Sequence, residues 1–300
     1  TIIMEKFNAE HYLSSVEKYS VTHSQLVPTM FSRLLKLPAT VRNKYDVSSL
    51  NFVVHGAAPC PVPIKQQMID WWGPIIYEYY AATEAQGMAF CDSKEWLARP
   101  GTVGKAVFGK IKILDDDMMP CTSGESGLVW FINSHEFEYF NDVERTSDAY
   151  SADRKLSTVG DMGYLDEEGY LFLTDRANNM IISGGVNIYP QEIEDCLILH
   201  ADVADVAVFG VPNEDFGEEV KAVVQPVEGI AGDEQLAKRL LEYAREHIAG
   251  YKVPRSVDFR SELPRLPTGK LYKRVLRDEY WAGDSGSSGS VSPIEQITDS

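Results

Sequence analysis

Helix-like and strand-like segments alternate through the first third of the chain, and this alternation restricts the fold more than any other feature. The predicted helices are residues 7–19, 28–37 and 64–72, and the predicted extended segments are residues 21–27, 50–55 and 75–80. Such alternation predicts an α/β fold in which helices cover a sheet. Ligands of open α/β sheets bind at the carboxyl ends of strands, so the loops at Gly56 and Ala81 are candidate binding loops.

The rest of the chain changes character twice. Residues 96–176 contain short strand-like runs broken by glycine turns, which predicts a β-barrel-like or sandwich unit. Residues 177–281 combine predicted strands with two helices, which indicates a small α+β domain. Residues 282–300 are rich in Gly, Ser and acidic residues, and we expect them to be disordered. The predicted class is α/β, with a large domain over residues 1–176, α/β in residues 1–95, before the small domain.

Charge and cysteine content exclude several classes of protein. The formal net charge is −17, so a nucleic-acid binder is not expected, because backbone phosphates would be repelled. The four cysteines lie far apart and suggest neither a disulfide framework nor a zinc site, which favours a reducing compartment. No membrane-spanning run or export signal is recognised. We therefore expect a cytoplasmic protein, and peripheral contact with a membrane stays open.

A lysine in the predicted small domain stands on a stiff loop. The segment LPRLPTGK over residues 263–270 combines prolines, which fix φ, with a glycine that permits a tight turn. Such a loop can hold Lys270 at a defined point, where its ammonium group can meet an anion. Because other basic residues follow closely, a solvated basic turn is the alternative.

Two segments carry groups suited to a nucleotide. Tyr80, Thr83 and Glu84 place an aromatic ring, a hydroxyl and a carboxylate at a strand end. The ring can stack on a purine base, and the oxygens can bind a hard cation that bridges phosphates. Asp161 follows a glycine and can accept hydrogen bonds from ribose hydroxyls. The structural alternatives are an edge-strand tyrosine before a turn and a plain Gly-Asp hairpin turn.

A glycine-rich turn follows Arg176 in the sequence. Ser183, Gly184 and Gly185 come shortly before a proline that opens a predicted helix. The two glycines lack a Cβ atom, so another backbone or a thin ligand can approach them closely.

The order of these segments resembles that of the acyl-adenylate-forming superfamily, which includes acyl-CoA synthetases, nonribosomal adenylation domains and luciferases. The resemblance covers residues 1–281 and is most specific in residues 160–190 and at Lys270. It implies that a carboxylate attacks the α-phosphorus of ATP to give an acyl-adenylate and pyrophosphate, and that a thiol then displaces AMP. The implied small-molecule partners are a carboxylic acid, ATP, Mg²⁺ and CoA.

The resemblance also implies a role for each candidate residue. The residues implied to contact the nucleotide or its metal are Gly56, Ala57, Ala58, Tyr80, Thr83, Glu84, Asp161 and Arg176. Glu84 would be the metal ligand, and Lys270 would bridge the carboxylate and α-phosphate oxygens. The turn over residues 183–185 would line the pantetheine tunnel, and Asn178 would be the hinge between the domains.

Three departures from the family pattern stand out. Ala81 replaces a glycine of the tyrosine-glycine-x-threonine-glutamate motif, and Asn178 replaces the usual Asp or Lys of the hinge. The family's Ser/Thr/Gly-rich phosphate loop has no counterpart. We therefore expect the chain to be the C-terminal portion of an enzyme, without its N-terminal half and inactive alone.

A smaller set of residues bears on which carboxylic acid would be the substrate. By resemblance, His55, Gln86, Gly87 and Met88 would line the acyl pocket, and the motifs around them are similar to fatty-acid and steroid-type CoA ligases. The absence of a side chain at Gly87 favours a long or bulky acyl group, while His55 could instead be a hydrogen-bonded strand-end histidine. An adenylation domain that loads a carrier protein and a non-catalytic binding module remain the alternatives.

Overall fold

A computed structural model describes residues 1–132, 135–265 and 271–283. Helices and strands follow each other in the order expected of a mixed α/β chain. The helices are α1 (Ala9–Tyr19), α2 (Pro28–Leu35), α3 (Ala39–Arg42), α4 (Val62–Trp72), α5 (Ser93–Ala98), α6 (Val143–Asp148), α7 (Pro190–Leu197), α8 (Glu234–His247) and α9 (Lys273–Gly283). The first strands are β1 (His23–Leu26), β2 (Phe52–His55), β3 (Ile76–Ala81), β4 (Met88–Cys91), β5 (Thr102–Phe108), β6 (Lys110–Leu114), β7 (Gly127–Ile132) and β8 (Leu156–Ser157). The later strands are β9 (Asp161–Leu165), β10 (Leu171–Arg176), β11 (Ile181–Ser183), β12 (Val186–Ile188), β13 (Val203–Asn213), β14 (Gly217–Pro226) and β15 (Ser256–Phe259).

The predicted α/β fold of the first segment is confirmed. Strands β1, β2 and β3 pair in parallel, and helices α1, α2 and α4 pack over them around a buried core. Pro28 opens α2 as the sequence indicates, because its missing N–H lies in the first turn where no helical partner exists. Asp92 and Glu95 form a capping box that starts α5, a helix that the sequence reading missed.

The described strands of residues 96–176 do not close into a barrel, which corrects the barrel-like prediction. The strand path runs β1-β2-β3-β4-β5-β10-β9-β7-β6, and β6 pairs only with β7 among the described strands, so the path stays open. Strand β4 pairs with both β3 and β5, and so joins the alternating strands to the parallel ones. Irregular pairing near Leu171 and Leu173 bends this path without closing it.

The predicted small α+β unit is present as a second sheet. Strands β12, β11, β14 and β13 pair in that order, β15 joins β14, and α7 and α8 cover one face around an apolar core. The chain passes from β10 in the first sheet to β11 in the second through a short 3₁₀ turn, Ala177–Asn179, which contains Asn178. Helix α9 runs to Gly283, so residues 282 and 283, which were expected to be disordered, are helical, and the rest of the predicted tail lies outside the described residues.

Polar contacts join the two sheets outside this turn. Lys36, which follows α2, donates from Nζ to the carbonyl oxygen of Ile198 at 3.1 Å and to that of Val203. Burial lowers the pKa of Lys36 to about 8, although Asp205 opposes the shift. The backbone N–H of Gln191 donates to the Asp175 carboxylate at 3.0 Å. None of the described helices has the length and apolarity needed to cross a membrane.

Glu194 is a buried carboxyl that joins three elements of the small unit. It lies on α7, accepts a hydrogen bond from the backbone N–H of Val208 at 2.6 Å, and contacts Lys273 Nζ at 2.7 Å. Burial raises the pKa of Glu194 to about 7, although Lys273 opposes the shift. The carboxyl therefore holds a proton more tightly in the folded chain than in the unfolded chain.

This raised pKa gives the fold a defined pH dependence. A carboxyl with a raised folded-state pKa stabilises the fold fully below its unfolded value of 4.5, and that contribution is lost as the pH rises to about 7. The Glu194→Gln variant cannot ionise at this position. The difference in free energy of unfolding, variant minus wild type, should therefore rise by about 2 kcal/mol from about pH 5 to about pH 8. Urea unfolding at both pH values measures the difference, and parallel pH profiles would contradict the assignment. The nearby Asp195 is present in wild type and in the variant, so its titration cancels in the difference between their free energies of unfolding.

Candidate nucleotide site

The loop after β2 is shaped by close packing against β3. A Cβ atom on Gly56 would lie 2.7 Å from the Tyr79 ring, closer than side-chain atoms approach each other, so this position requires glycine. Ala57 follows with a φ of 69°, a left-handed conformation that is strained for a residue with a side chain. Ala57 is exposed and Ala58 is half-buried, so this turn is accessible at the carboxyl end of the strand.

Three candidate residues that are distant in the sequence meet at one carboxylate. Tyr80, on β3, donates its hydroxyl to Asp161 Oδ2 at 2.7 Å, and Arg176 Nε lies 3.0 Å from Asp161 Oδ1. Asp161 begins β9 and Arg176 ends β10, and the two residues face each other directly in the antiparallel pairing. The structure therefore brings together the aromatic ring, the carboxylate and the guanidinium that the sequence proposed for a base and its ribose.

Packing fixes the orientation of this group. The Tyr80 ring lies near the Phe131 ring with centroids 6.2 Å apart and planes at 28°. Burial, with a smaller contribution from Asp161, raises the pKa of Tyr80 well above its ordinary value, so the hydroxyl remains a donor. The Gly160 backbone has a φ of 82°, and its carbonyl accepts a hydrogen bond from the Ala177 N–H at 2.8 Å. This bond links the turn before Asp161 to the segment that follows Arg176.

The candidate metal ligand has a partner that the sequence analysis missed. Tyr139 donates its hydroxyl to Glu84 Oε1 at 2.8 Å, across 55 positions of sequence. Burial and this contact raise the pKa of Tyr139 to about 12. Glu84 is half-buried and Thr83 is exposed, so both can meet a ligand from solvent. The described residues contain no cluster of three or more His, Cys, Asp or Glu side chains able to hold a metal ion.

His55 lies within a buried ionic cluster. Its Nε2 lies 3.5 Å from Glu78 Oε2, and Lys65 Nζ lies 2.5 Å from the same oxygen. Lys65 also lies over the Trp96 ring, 5.1 Å from its centroid. Burial raises the pKa of Glu78 and lowers the pKa of His55. The sequence signals for this cluster are a lysine on the apolar face of α4 and a glutamate within an apolar strand, and neither residue was among the predicted site residues.

The region assigned to the acyl pocket is packed more tightly than the sequence suggested. A Cβ atom on Gly87 would lie 2.0 Å from Cδ1 of Phe131, so the Phe131 ring fills the space that glycine leaves. The space beside Gly87 is therefore occupied by a side chain of the same protein, and this glycine gives no support of its own to a bulky acyl group. Gln86 is buried, and Met88 begins β4 opposite Ala81, in a strand that was not predicted.

The glycine-rich turn belongs to the small sheet. Ser183 ends β11 and faces Val186 across a hairpin, while Gly184 and Gly185 occupy the turn with φ values of 56° and 81°. The Gly184 N–H donates to the Phe216 carbonyl oxygen at 2.8 Å. The described contacts of this turn lie in the small unit, and none of them is with the group around Asp161.

Lys270 lies outside the described residues, but both flanks of its loop are described. Arg265 and Leu271 form an antiparallel backbone bridge, and the Tyr272 N–H donates to the Pro264 carbonyl oxygen at 2.9 Å. Arg265 also pairs with the buried Asp205 of β13, with Nε 3.0 Å from Oδ2.

Comparison with known families gives two matches along the chain. The family described as AMP-binding enzyme matches residues 1–137, and the family described as AMP-binding enzyme C-terminal domain matches residues 192–270. Among curated proteins, a 3-[(3aS,4S,7aS)-7a-methyl-1,5-dioxo-octahydro-1H-inden-4-yl]propanoyl:CoA ligase of Mycobacterium tuberculosis is 37% identical over 91% of this chain and 52% of its own length. A long-chain-fatty-acid–CoA ligase of Bacillus subtilis is 32% identical over 93% of this chain and 49% of its own length. The chain thus spans about half the length of the curated relatives it matches.

Solved structures also match most of this chain. The amide bond synthetase McbA of Marinactinospora thermotolerans matches with a TM-score of 0.75 and 31% identity, over 92% of this chain and 56% of the other. The o-succinylbenzoate CoA synthetase of Bacillus subtilis, solved with its acyl-adenylate intermediate, matches with a TM-score of 0.73 and 28% identity, over 92% and 55%.

Proposed function

Because this chain belongs to the superfamily of AMP-binding, acyl-adenylate-forming enzymes, we propose that its protein is an ATP-dependent acid–CoA ligase. The proposed substrate is a long-chain or bulky acid of fatty or steroid type. Support for this class comes from relatives whose names specify a fused-ring propanoyl group and long-chain fatty acids. In these terms the protein converts a carboxylic acid, ATP and CoA into an acyl-CoA, AMP and pyrophosphate.

The observation that carries the proposal is the meeting of Tyr80, Asp161 and Arg176. The Asp161 carboxylate can accept hydrogen bonds from both vicinal hydroxyls of a ribose, and the Arg176 guanidinium lies beside it at 3.0 Å. The Tyr80 ring offers an apolar face to a base at the same place. A site with one aromatic face and one ribose-binding carboxylate suits a nucleoside better than a free phosphate or an acyl chain.

The first chemical step joins two anions, so charge governs it. An oxygen of the substrate carboxylate forms a bond to the α-phosphorus, the bond from that phosphorus to the bridging oxygen of the β-phosphate breaks, and pyrophosphate leaves. We propose that Lys270 lies beside the carboxylate and α-phosphate oxygens and offsets their repulsion in the transition state. Asp161 and Arg176 hold the ribose, so the α-phosphorus stays in line with the attacking oxygen.

The residues present fit a magnesium ion that is held mainly by its nucleotide. Mg²⁺ commonly takes one or two protein carboxylates and completes its shell with phosphates and water. Glu84 supplies a carboxylate with one oxygen engaged by Tyr139, and the exposed Thr83 adds a hydroxyl. The ion would neutralise phosphate charge when bound.

The second step transfers the acyl group to sulfur. The thiol sulfur of CoA forms a bond to the acyl carbon, the bond from that carbon to the AMP oxygen breaks, and the thiol proton is released. We propose that the turn Ser183, Gly184 and Gly185 lines the path of the pantetheine arm, since its glycines leave room for a thin chain. Asn178, in the short turn between the two sheets, is the proposed pivot that brings this turn toward the adenylate.

A binding experiment tests the nucleotide site directly. An acyl-sulfamoyl adenosine, which mimics the adenylate, should bind to the protein, and Asp161→Asn should weaken its affinity about tenfold through loss of charge-assisted hydrogen bonds. Asp116→Asn, at an exposed aspartate after β6, is the matched control and should bind as wild type does. Equal affinities for the Asp161 variant and wild type would count against the assigned site.

A turnover experiment separates the candidate functions. With the whole protein, ATP, Mg²⁺ and a panel of long-chain and fused-ring acids, AMP release that requires CoA supports the ligase. AMP release that requires a phosphopantetheinylated carrier protein supports the alternative of a carrier-loading domain. Tight binding of the analogue with no AMP release, under any acceptor, supports a non-catalytic binding module.

A further inference from the structure

We propose that Tyr139 is a positioning residue that holds the Glu84 carboxylate for the metal–nucleotide complex. This inference rests on the proposed function, since it concerns the same site. It goes further by assigning a role to a tyrosine that lies far from the site's motifs in the sequence. The two residues meet through one hydrogen bond, from the Tyr139 hydroxyl to Glu84 Oε1 at 2.8 Å.

The tyrosine is held from several sides before it reaches Glu84. Its backbone N–H donates to Thr146 Oγ1 at 2.9 Å, and that hydroxyl donates to the Asp142 carbonyl oxygen at 2.7 Å, at the start of α6. The Arg145 guanidinium lies over the Tyr139 ring, 3.8 Å from its centroid. The Phe137 ring meets it edge-on with centroids 5.6 Å apart. These contacts fix the phenol more firmly than a surface tyrosine would be fixed.

The alternation of exposure in this segment supports a directed role. Phe137 and Tyr139 are half-buried and point inward, while Glu138 and Phe140 between and after them are exposed. An aromatic residue that only filled space would need no hydroxyl. The Tyr139 hydroxyl, however, donates to Glu84, the carboxylate proposed as the metal ligand. Other tyrosines in this region serve different partners: the Tyr150 hydroxyl donates to the Phe137 carbonyl oxygen at 2.9 Å.

The chemistry of the bond explains how it would help. Glu84 is a half-buried side chain with several rotatable bonds, and a free carboxylate loses rotamer freedom when it binds a cation. A neutral donor on Oε1 restricts the orientation of the carboxylate and leaves Oε2 available to a cation. Tyr139 thus acts through Glu84 and has no contact of its own with the reacting atoms.

The test compares ATP binding with and without the metal. Calorimetry gives the dissociation constant of ATP in EDTA and in excess Mg²⁺, and the EDTA value divided by the Mg²⁺ value isolates the contribution of the metal. Tyr139→Phe should reduce this ratio about tenfold while the constant in EDTA stays unchanged. Tyr45→Phe is the matched control, because it removes a hydroxyl that donates to the carboxylate of another residue, Glu10, at 2.7 Å, and its ratio should equal that of wild type.

A merely structural role predicts a different result. General loosening of the site would weaken ATP binding equally in both buffers, and that outcome overturns the inference. Because Tyr139 is proposed to act only through Glu84, Tyr139→Phe should change nothing further in a Glu84→Gln background, and an additive effect also overturns it. A wild-type protein that binds ATP with no metal dependence overturns this inference alone, whereas one that binds no ATP overturns the proposed function as well.

Discussion

Lys65→Met should lower the free energy of unfolding by about 3–5 kcal/mol, because it leaves the buried Glu78 carboxylate without its lysine partner. Both side chains are almost fully buried, and Lys65 Nζ lies 2.5 Å from Glu78 Oε2. The carboxyl would have to take up a proton or draw water into the core. Urea unfolding followed by circular dichroism measures the loss.

Two further variants make this expectation specific. Lys155→Met removes an exposed lysine that lies 3.0 Å from Asp153, and it should change stability little, since exposed ion pairs contribute little. Lys65→Met combined with Glu78→Gln replaces the uncompensated charge by a neutral amide and should recover a large part of the loss. A double variant as unstable as Lys65→Met alone would show that lost packing, and not the stranded charge, is the cause.

Lys270→Ala should reduce the rate of adenylate formation by about 10²–10³-fold in the active protein, because one well-placed charge in the transition state is worth that much. Conversion of a supplied acyl-adenylate to the CoA thioester should be much less affected, since the charge-opposed step is already complete. Carboxylate-dependent ATP–pyrophosphate exchange measures the first step, and thioester release measures the second. Lys238→Ala, at an exposed lysine of α8, is the control. Normal exchange in the Lys270→Ala variant would contradict the proposed role and would favour the alternative of a solvated surface turn.

The elements that local pattern specifies were predictable from the sequence. Pro28 and the helical spacing after it locate α2, and the apolar run before Gly56 locates β2. The strand β4 was missed because Met88–Cys91 is short and follows directly on a motif that suggested a loop. Its pairing with β5 is non-local, and this pairing is also what keeps the sheet open where a barrel was expected.

The candidate site was likewise predictable from the sequence only in part. Motif order located Tyr80, Asp161 and Arg176, but only the register between β9 and β10 shows that the last two face each other. Packing could not be read from composition: Gly87 suggested a space, and a phenylalanine from a distant strand fills it. Tyr139 was equally hidden, because nothing within its own segment marks it as the partner of Glu84.

The bridge between Arg265 and Leu271 determines how the segment on either side of Lys270 can move. Leu271 is tied back to Arg265, and Arg265 is tied to the buried Asp205 in the middle of the small unit. These two contacts anchor both flanks to β13. With the proposed pivot at residues 177–179, a rotation would carry both flanks together with β13. The distance that they travel would then depend on the angle at the pivot and on their distance from it.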